Sequence, residues 1–322
     1  MNNVLLSNEV IILQSVGFLV LVMQALASVF GLYIYKKWDF SSTSSFQYSL
    51  EKKAYLIVLI LFFSLLAKII LLPYFAFTID SLSEIVHGAM CAAGVVNANE
   101  FGYFLLSLKL FIIFIVGAWL IINKLDILAI NYPYMKTKLI FASVIFLFVL
   151  FEFIIEILYF THISTDIPVQ CCSVIYGVTG NSDPLPFGMD MLTLLIVFYS
   201  SFLLVIVANI QKNALFSFIS GGLFLYFGYY GVTYFFGTYV YQLPTHICPF
   251  CMLKKEYNFI GYAIWGSLFL GSFFSMVNLL LKSLINVAIN RYFLFSTLFN
   301  TVFVIICTSY VVVYYLINGV LL

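Results

Sequence analysis

The sequence predicts an all-α integral membrane protein, a polytopic bundle of about eight transmembrane helices, and three observations carry that expectation. Charged residues make up 8% of the chain and hydrophobic residues 64%, with a mean hydropathy of +1.12. A soluble domain carries about 25% charged residues, so too few charges are present for water to solvate the surface. Apolar runs longer than the roughly 18 residues needed to cross a bilayer recur along the whole chain. No water reaches that depth to satisfy the backbone, so each run must close its own hydrogen bonds as a helix. The net charge of +1 gives no reason to expect a nucleic-acid partner. No polar stretch is long enough to fold alone, and residues 1–322 read as a single polytopic domain whose partner is the lipid bilayer.

The runs place spans at roughly 10–35, 54–79, 102–122, 139–161, 190–210, 214–241, 257–281 and 292–318. The first residues include Asn2, Asn3 and Glu9 and no basic region, so the first run reads as a span and not as a cleaved signal peptide. Alternate loops hold Lys36, Lys37, Lys52, Lys53, Lys124, Lys136, Lys138, Lys212, Lys282 and Arg291, against only Lys254 and Lys255 on the other side. The excess of basic residues predicts which side is cytoplasmic. It leaves both termini outside, in what reads as a bacterial inner (plasma) membrane.

With that sidedness, the reactive side chains sort to one face. The outer loops, about 80–101, 162–189 and 242–256, hold all three histidines and five of the six cysteines. His87 and Cys91 fall in the first, His162, Cys171 and Cys172 in the second, and His246, Cys248 and Cys251 in the third. Only Cys307 falls within a span, where it reads as a small packing residue. The outer side of such a membrane is oxidising.

The sharpest motif is His246-Ile247-Cys248-Pro249-Phe250-Cys251. Cysteines at i and i+3 can close a small redox disulfide. Pro249 is suited to the first position of a helix, which would put Cys248 near the N-cap, where orphan N–H groups and the positive dipole end favour a thiolate. On that expectation Cys248 attacks and Cys251 resolves. Cys248-Pro249-Phe250-Cys251 resembles the Cys-Pro-aromatic-Cys motif of glutaredoxins. Its place beside a membrane helix, with further outer cysteines, resembles the DsbB and vitamin K epoxide reductase enzymes. The resemblance covers four residues and an arrangement; those enzymes are bundles of four or five helices. It implies a membrane thiol–disulfide oxidoreductase passing electrons between an extracytoplasmic thiol protein and a quinone, with Cys171, Cys172 and Cys91 as shuttle thiols.

A second reading stays open. Cys-x-x-Cys is also a zinc half-site, and soft thiolates suit copper or zinc. His87, Cys91, His162, His246, Cys248 and Cys251 would supply the ligands of a soft-metal binding or transport protein, and His87-Gly88-Ala89-Met90-Cys91 combines the His, Met and Cys that copper handling uses. A third reading is a membrane subunit of a respiratory or maturation complex, its cysteines bracing loops. Cys171-Cys172 is a vicinal pair, whose disulfide would be strained.

Lys68, Lys109, Glu152 and Glu156 fall inside spans, where charges are rare and pair or mark a pathway. Their depths, at about 1.5 Å of rise per residue, allow pairs Lys68–Glu152 and Lys109–Glu156. They read as a proton relay or as interhelical ion pairs. Tyr226, Tyr229, Tyr230, Tyr234, Tyr239 and Tyr241 crowd the sixth span and offer a wall for a flat ring or, more commonly, core and interfacial anchors.

Overall fold

The structure is a computed structural model that describes residues 4–42, 44–164, 168–169 and 185–322. Among these residues every regular element is a helix. Eight of the helices are long and apolar enough to cross a membrane, and their outward faces carry large apolar side chains such as Leu19 (58% exposed), Ile70 (63%) and Ile305 (60%). Such a surface belongs in lipid, and the chain is an integral membrane protein.

The chain divides into two compact units, Met1–Val169 and Gln170–Leu322. In the first, α1 (Asn8–Lys37), α2 (Ser45–Leu82), α4 (Phe101–Leu128) and α5 (Met135–Thr161) cross, and a short α3 (Ala92–Val96) lies between α2 and α4 in sequence. The long helices pack as a ring: α1 lies against α2 and α5, and α4 against α5 and α2. Helix α2 starts at Ser45, well before the span expected from residue 54. Ser44 caps it by accepting from the Gln47 N–H (3.2 Å). Its 38 residues run about 57 Å at 1.5 Å each, more than the roughly 30 Å of hydrocarbon, so hydropathy reads only the part inside lipid. One layer of the bundle core is apolar, with Leu61 and Leu65, Ile112 and Val116, and Ile145 and Val149 meeting there.

In the second unit, α6 (Met191–Ile210), α7 (Ala214–Tyr241), α8 (Ile260–Ile285) and α9 (Asn290–Asn318) form a ring of the same order: α7 lies against α6 and α8, and α9 against α8 and α6. Asp190 and Asn213 cap α6 and α7 by accepting backbone N–H bonds. Within α7 one π-turn, Val232–Phe236, precedes the last turn, Gly237–Tyr241. Small residues let the helices approach closely. A Cβ on Gly221 would stand 2.3 Å from that of Ser275, and one on Gly271 would stand 2.2 Å from Asn300 Oδ1.

Candidate functional site

The Cys-Pro-Phe-Cys segment lies in the second unit, between α7 and α8. Helix α7 stops at Tyr241 because Gln242 turns left-handed (φ 54°). The following chain folds back over the helix end through two short 3-10 turns, Cys251–Leu253 and Lys255–Tyr257. Asn258 and Phe259 are again left-handed, and α8 begins only at Ile260. Here the sequence expectation is corrected. Pro249 does not open a helix leading into the seventh span, and Cys248 is not its N-cap; the span itself starts at Ile260, within a few residues of the expected 257. The chain takes this course because both neighbouring helices seize its carbonyls. The Tyr241 hydroxyl donates to the Cys248 carbonyl and accepts from the Met252 N–H (3.0 Å). Trp265 of α8 donates its indole N–H to the Pro249 carbonyl (3.1 Å).

The result is a turn held at three backbone points. Both thiols are buried, Cys248 at 1% and Cys251 at 8% exposure, and Met252 beneath them is fully enclosed. Their Sγ atoms lie within 4.8 Å of each other. Met252 reaches its place only because residue 261 is glycine: a Cβ there would stand 2.6 Å from Met252 Cγ. The His246 ring packs edge-on against Tyr241 (4.3 Å between centroids), and the Tyr257 ring also packs edge-on with Tyr241 (4.7 Å). Burial, followed by the nearby Cys251 and Glu256, pushes the Tyr257 hydroxyl up, so it stays a neutral phenol. The dipole-stabilised thiolate expected at Cys248 has no basis in this geometry. Cys251, the more exposed thiol, starts the first 3-10 turn instead.

Aromatic side chains lead from this turn along the α7–α8 face. Tyr229 packs against Trp265 (5.8 Å), and Trp265 against Phe269 (6.1 Å). Tyr230 stacks on Tyr234 (6.0 Å, 11°) and meets Tyr226 (5.0 Å). Tyr239 sits apart, against Tyr314 of α9. Cys307 is buried in α9.

His87, Cys91 and His162 belong to other segments of the chain. Cys91 belongs to the first unit, where it is 2% exposed and precedes α3 as its N-cap residue. Beside it His87 and Met90 are exposed, and the His87 carbonyl accepts from the Val169 N–H (2.9 Å). His162, also exposed, ends α5, its ring nitrogen 2.8 Å from the Leu158 carbonyl. None of the three histidines joins a group of three potential metal ligands among the described residues. Cys171 and Cys172 lie outside the described residues.

The first unit gathers the charges. Lys68 of α2 and Lys109 of α4 both reach Glu152 of α5, each at 2.5 Å on a different oxygen. Lys109 also pairs with Glu156 one turn on, and Gln14 of α1 donates to the other Glu156 oxygen (3.0 Å). All four charged side chains are at most 8% exposed. Phe75 lies under the Lys109 ammonium at 4.5 Å. A second buried pair was missed in the sequence. Lys138, counted there as a loop charge, is 1% exposed inside α5 and pairs with Asp126 at 2.6 Å. Asp126 also accepts from the Tyr134 N–H (2.7 Å) and Asn123 accepts from Lys138 (3.2 Å), so this pair staples the α4–α5 turn. The available signal was an acid and a base flanking one Asn-Tyr-Pro-Tyr turn.

Comparison of the chain with protein-family profiles, with curated proteins and with solved structures finds no match.

Proposed function

We propose that the protein is a membrane thiol–disulfide oxidoreductase whose reacting groups are Cys248 and Cys251. The observation that supports this most is the paired sulfurs, within 4.8 Å on a backbone held by Tyr241 and Trp265. Closing the bridge removes two electrons and two protons from the dithiol. A lipid-soluble quinone is the acceptor of matching stoichiometry, becoming the quinol. The resulting disulfide is then reduced by exchange with two thiols of an extracytoplasmic protein, which leaves as its own disulfide. The greater exposure of Cys251 makes it the sulfur an incoming thiolate meets first, with Cys248 leaving; the buried pair opens by a local movement of the turn. Cys171, Cys172 and Cys91 are the candidate shuttle thiols. The excess of basic residues on the opposite loops supports an extracytoplasmic site with both termini on that side, in a bacterial plasma membrane.

The test is a single-turnover reaction. Reduced, anaerobic protein in lipid is mixed with a short-chain quinone. One quinol per chain is expected, falling to none in Cys251→Ser. An inert quinone in the presence of a folded protein contradicts the reading.

A second reading has one observation in its favour. Two thiols this close and this buried also suit a soft cation, copper or zinc, held as thiolates. Stoichiometric metal in purified protein, lost in Cys248→Ser and accompanied by no quinol formation, replaces the redox reading with this one.

A further inference from the structure

We propose that the buried Lys68–Glu152–Lys109–Glu156 network of the first unit is a proton-binding site within the membrane, loaded at Glu152 and unloaded at Lys68. It is independent of the thiol chemistry proposed above.

The four long helices of the unit all reach this point. Helix α1 contributes Gln14 and no charge to the network, α2 contributes Lys68, α4 contributes Lys109, and α5 contributes Glu152 and Glu156. Two ammonium groups and two carboxylates sum to zero. Buried ion pairs are seldom worth more than apolar packing of the same volume, so four charges are a costly way to join helices in lipid.

Two features separate this network from an interhelical staple. First, it is not closed by packing. A small cavity with room for about one water molecule adjoins it, bordered by Lys68, Lys109 and Glu152 and walled by Leu71, Leu72 and Ile113. Second, every carboxylate oxygen is already taken: the two of Glu152 by Lys109 and Lys68, and the two of Glu156 by Lys109 and Gln14. A metal cation would need several of those oxygens and would face two ammonium groups, and the cavity is too small for a hydrated ion. The one cation that can be added is a proton.

The transfer balances simply. A hydronium in the cavity gives its proton to Glu152, which becomes a neutral acid, and the water remains. Lys109 keeps its charge partner in Glu156. Lys68 has lost its own and passes its ammonium proton to that water, becoming a neutral amine. Returning the carboxyl proton to the amine restores the starting state. The apolar layer of Leu61, Leu65, Ile112, Val116 and Val149 adjoins this region and offers no further titratable group. The site therefore binds and exchanges a proton through its cavity and is not a through-channel.

Infrared difference spectroscopy of the protein in lipid, between neutral and acid pH, tests this. The expected result is a protonated-carboxyl band that appears on acidification, shifts on transfer to heavy water and is missing in Glu152→Gln. Leu72→Phe keeps every charge and fills the cavity; it is expected to slow the heavy-water shift at least tenfold. No titrating band, or a band that survives in Glu152→Gln, overturns the site. If Glu152→Gln does not fold, Leu72→Phe decides alone: a heavy-water shift as fast as in the unaltered protein overturns it.

Discussion

The two units share a four-helix ring but bury polar groups of different kinds. Among the described residues every buried Lys, Asp and Glu belongs to the first unit, whereas the second buries only neutral polar side chains. Its network runs from Asn209 of α6 to Ser296 (3.0 Å) and Thr297 (3.1 Å) of α9, and from Ser217 of α7 to the Ser275 carbonyl of α8 (3.1 Å). Ser275 in turn meets Ser296 at 2.5 Å. These neutral bonds sit where glycines let helices touch, as small residues and hydroxyls do in membrane bundles. The first unit instead leaves a cavity beside its charges. The difference teaches that polar burial in lipid takes two forms: hydroxyl and amide networks that tie helices closely, and an ion network beside a small cavity, where the proposed proton site lies.

Glu152→Ala strikes this contrast hardest. It strands Lys68 and leaves Lys109 with Glu156 alone, and removing one partner of a buried pair costs about 3–5 kcal/mol. Denaturant unfolding in mild detergent is expected to show that loss. In the second unit Gly271→Leu drives a side chain into Asn300, whose Oδ1 already lies 2.2 Å from the position of a Cβ. Overpacking of this sort costs about 1–3 kcal/mol, and the same unfolding assay should register it. Asn209→Ala removes three interhelical bonds, to Ser296, Thr297 and Ser217, and is expected to cost less than Glu152→Ala, about 2 kcal/mol at roughly 0.6 kcal/mol per bond. A loss as large as that of Glu152→Ala would erase the distinction between neutral and ionic networks.

The smallest effect concerns a helix end. The Thr193 side chain and its N–H (3.1 Å) hold the Asp190 carboxyl below the usual carboxylate range. A depressed folded pKa means that the cap contributes stability above the unfolded value. That contribution is lost as pH falls through the folded one. Acid fraying of the start of α6, followed by amide exchange, should therefore disappear in Asp190→Asn, which keeps a capping oxygen without a titration.

Much of the fold is legible in the sequence because a bilayer imposes length and apolarity on every crossing. What hydropathy leaves out is where a helix continues in water. Ser45–Lys53 is polar, yet α2 includes it, and Lys138 reads as a loop charge until Asp126 is found beside it. Equal depth suffices to suggest Lys68 with Glu152 and Lys109 with Glu156. The bond of Lys109 to Glu152 depends on helix rotation, which apolar runs do not report. The helix expected at Pro249 fails for a different reason: local preference yields to Tyr241 and Trp265, residues distant in the motif that hold its carbonyls. Tyr241 was visible as part of an aromatic wall, but its role as a bridge between Cys248 and Met252 was not.

Thiol trapping with mass mapping in native membranes probes the proposed chemistry most directly. Membranes are quenched with an alkylating agent after quinone is supplied and after it is withdrawn. The peptide holding Cys248 and Cys251 is predicted to lose two hydrogens with quinone and to regain both alkylation sites without it. A peptide that stays fully alkylated, or fully bridged, under both conditions contradicts thiol–disulfide exchange at this turn.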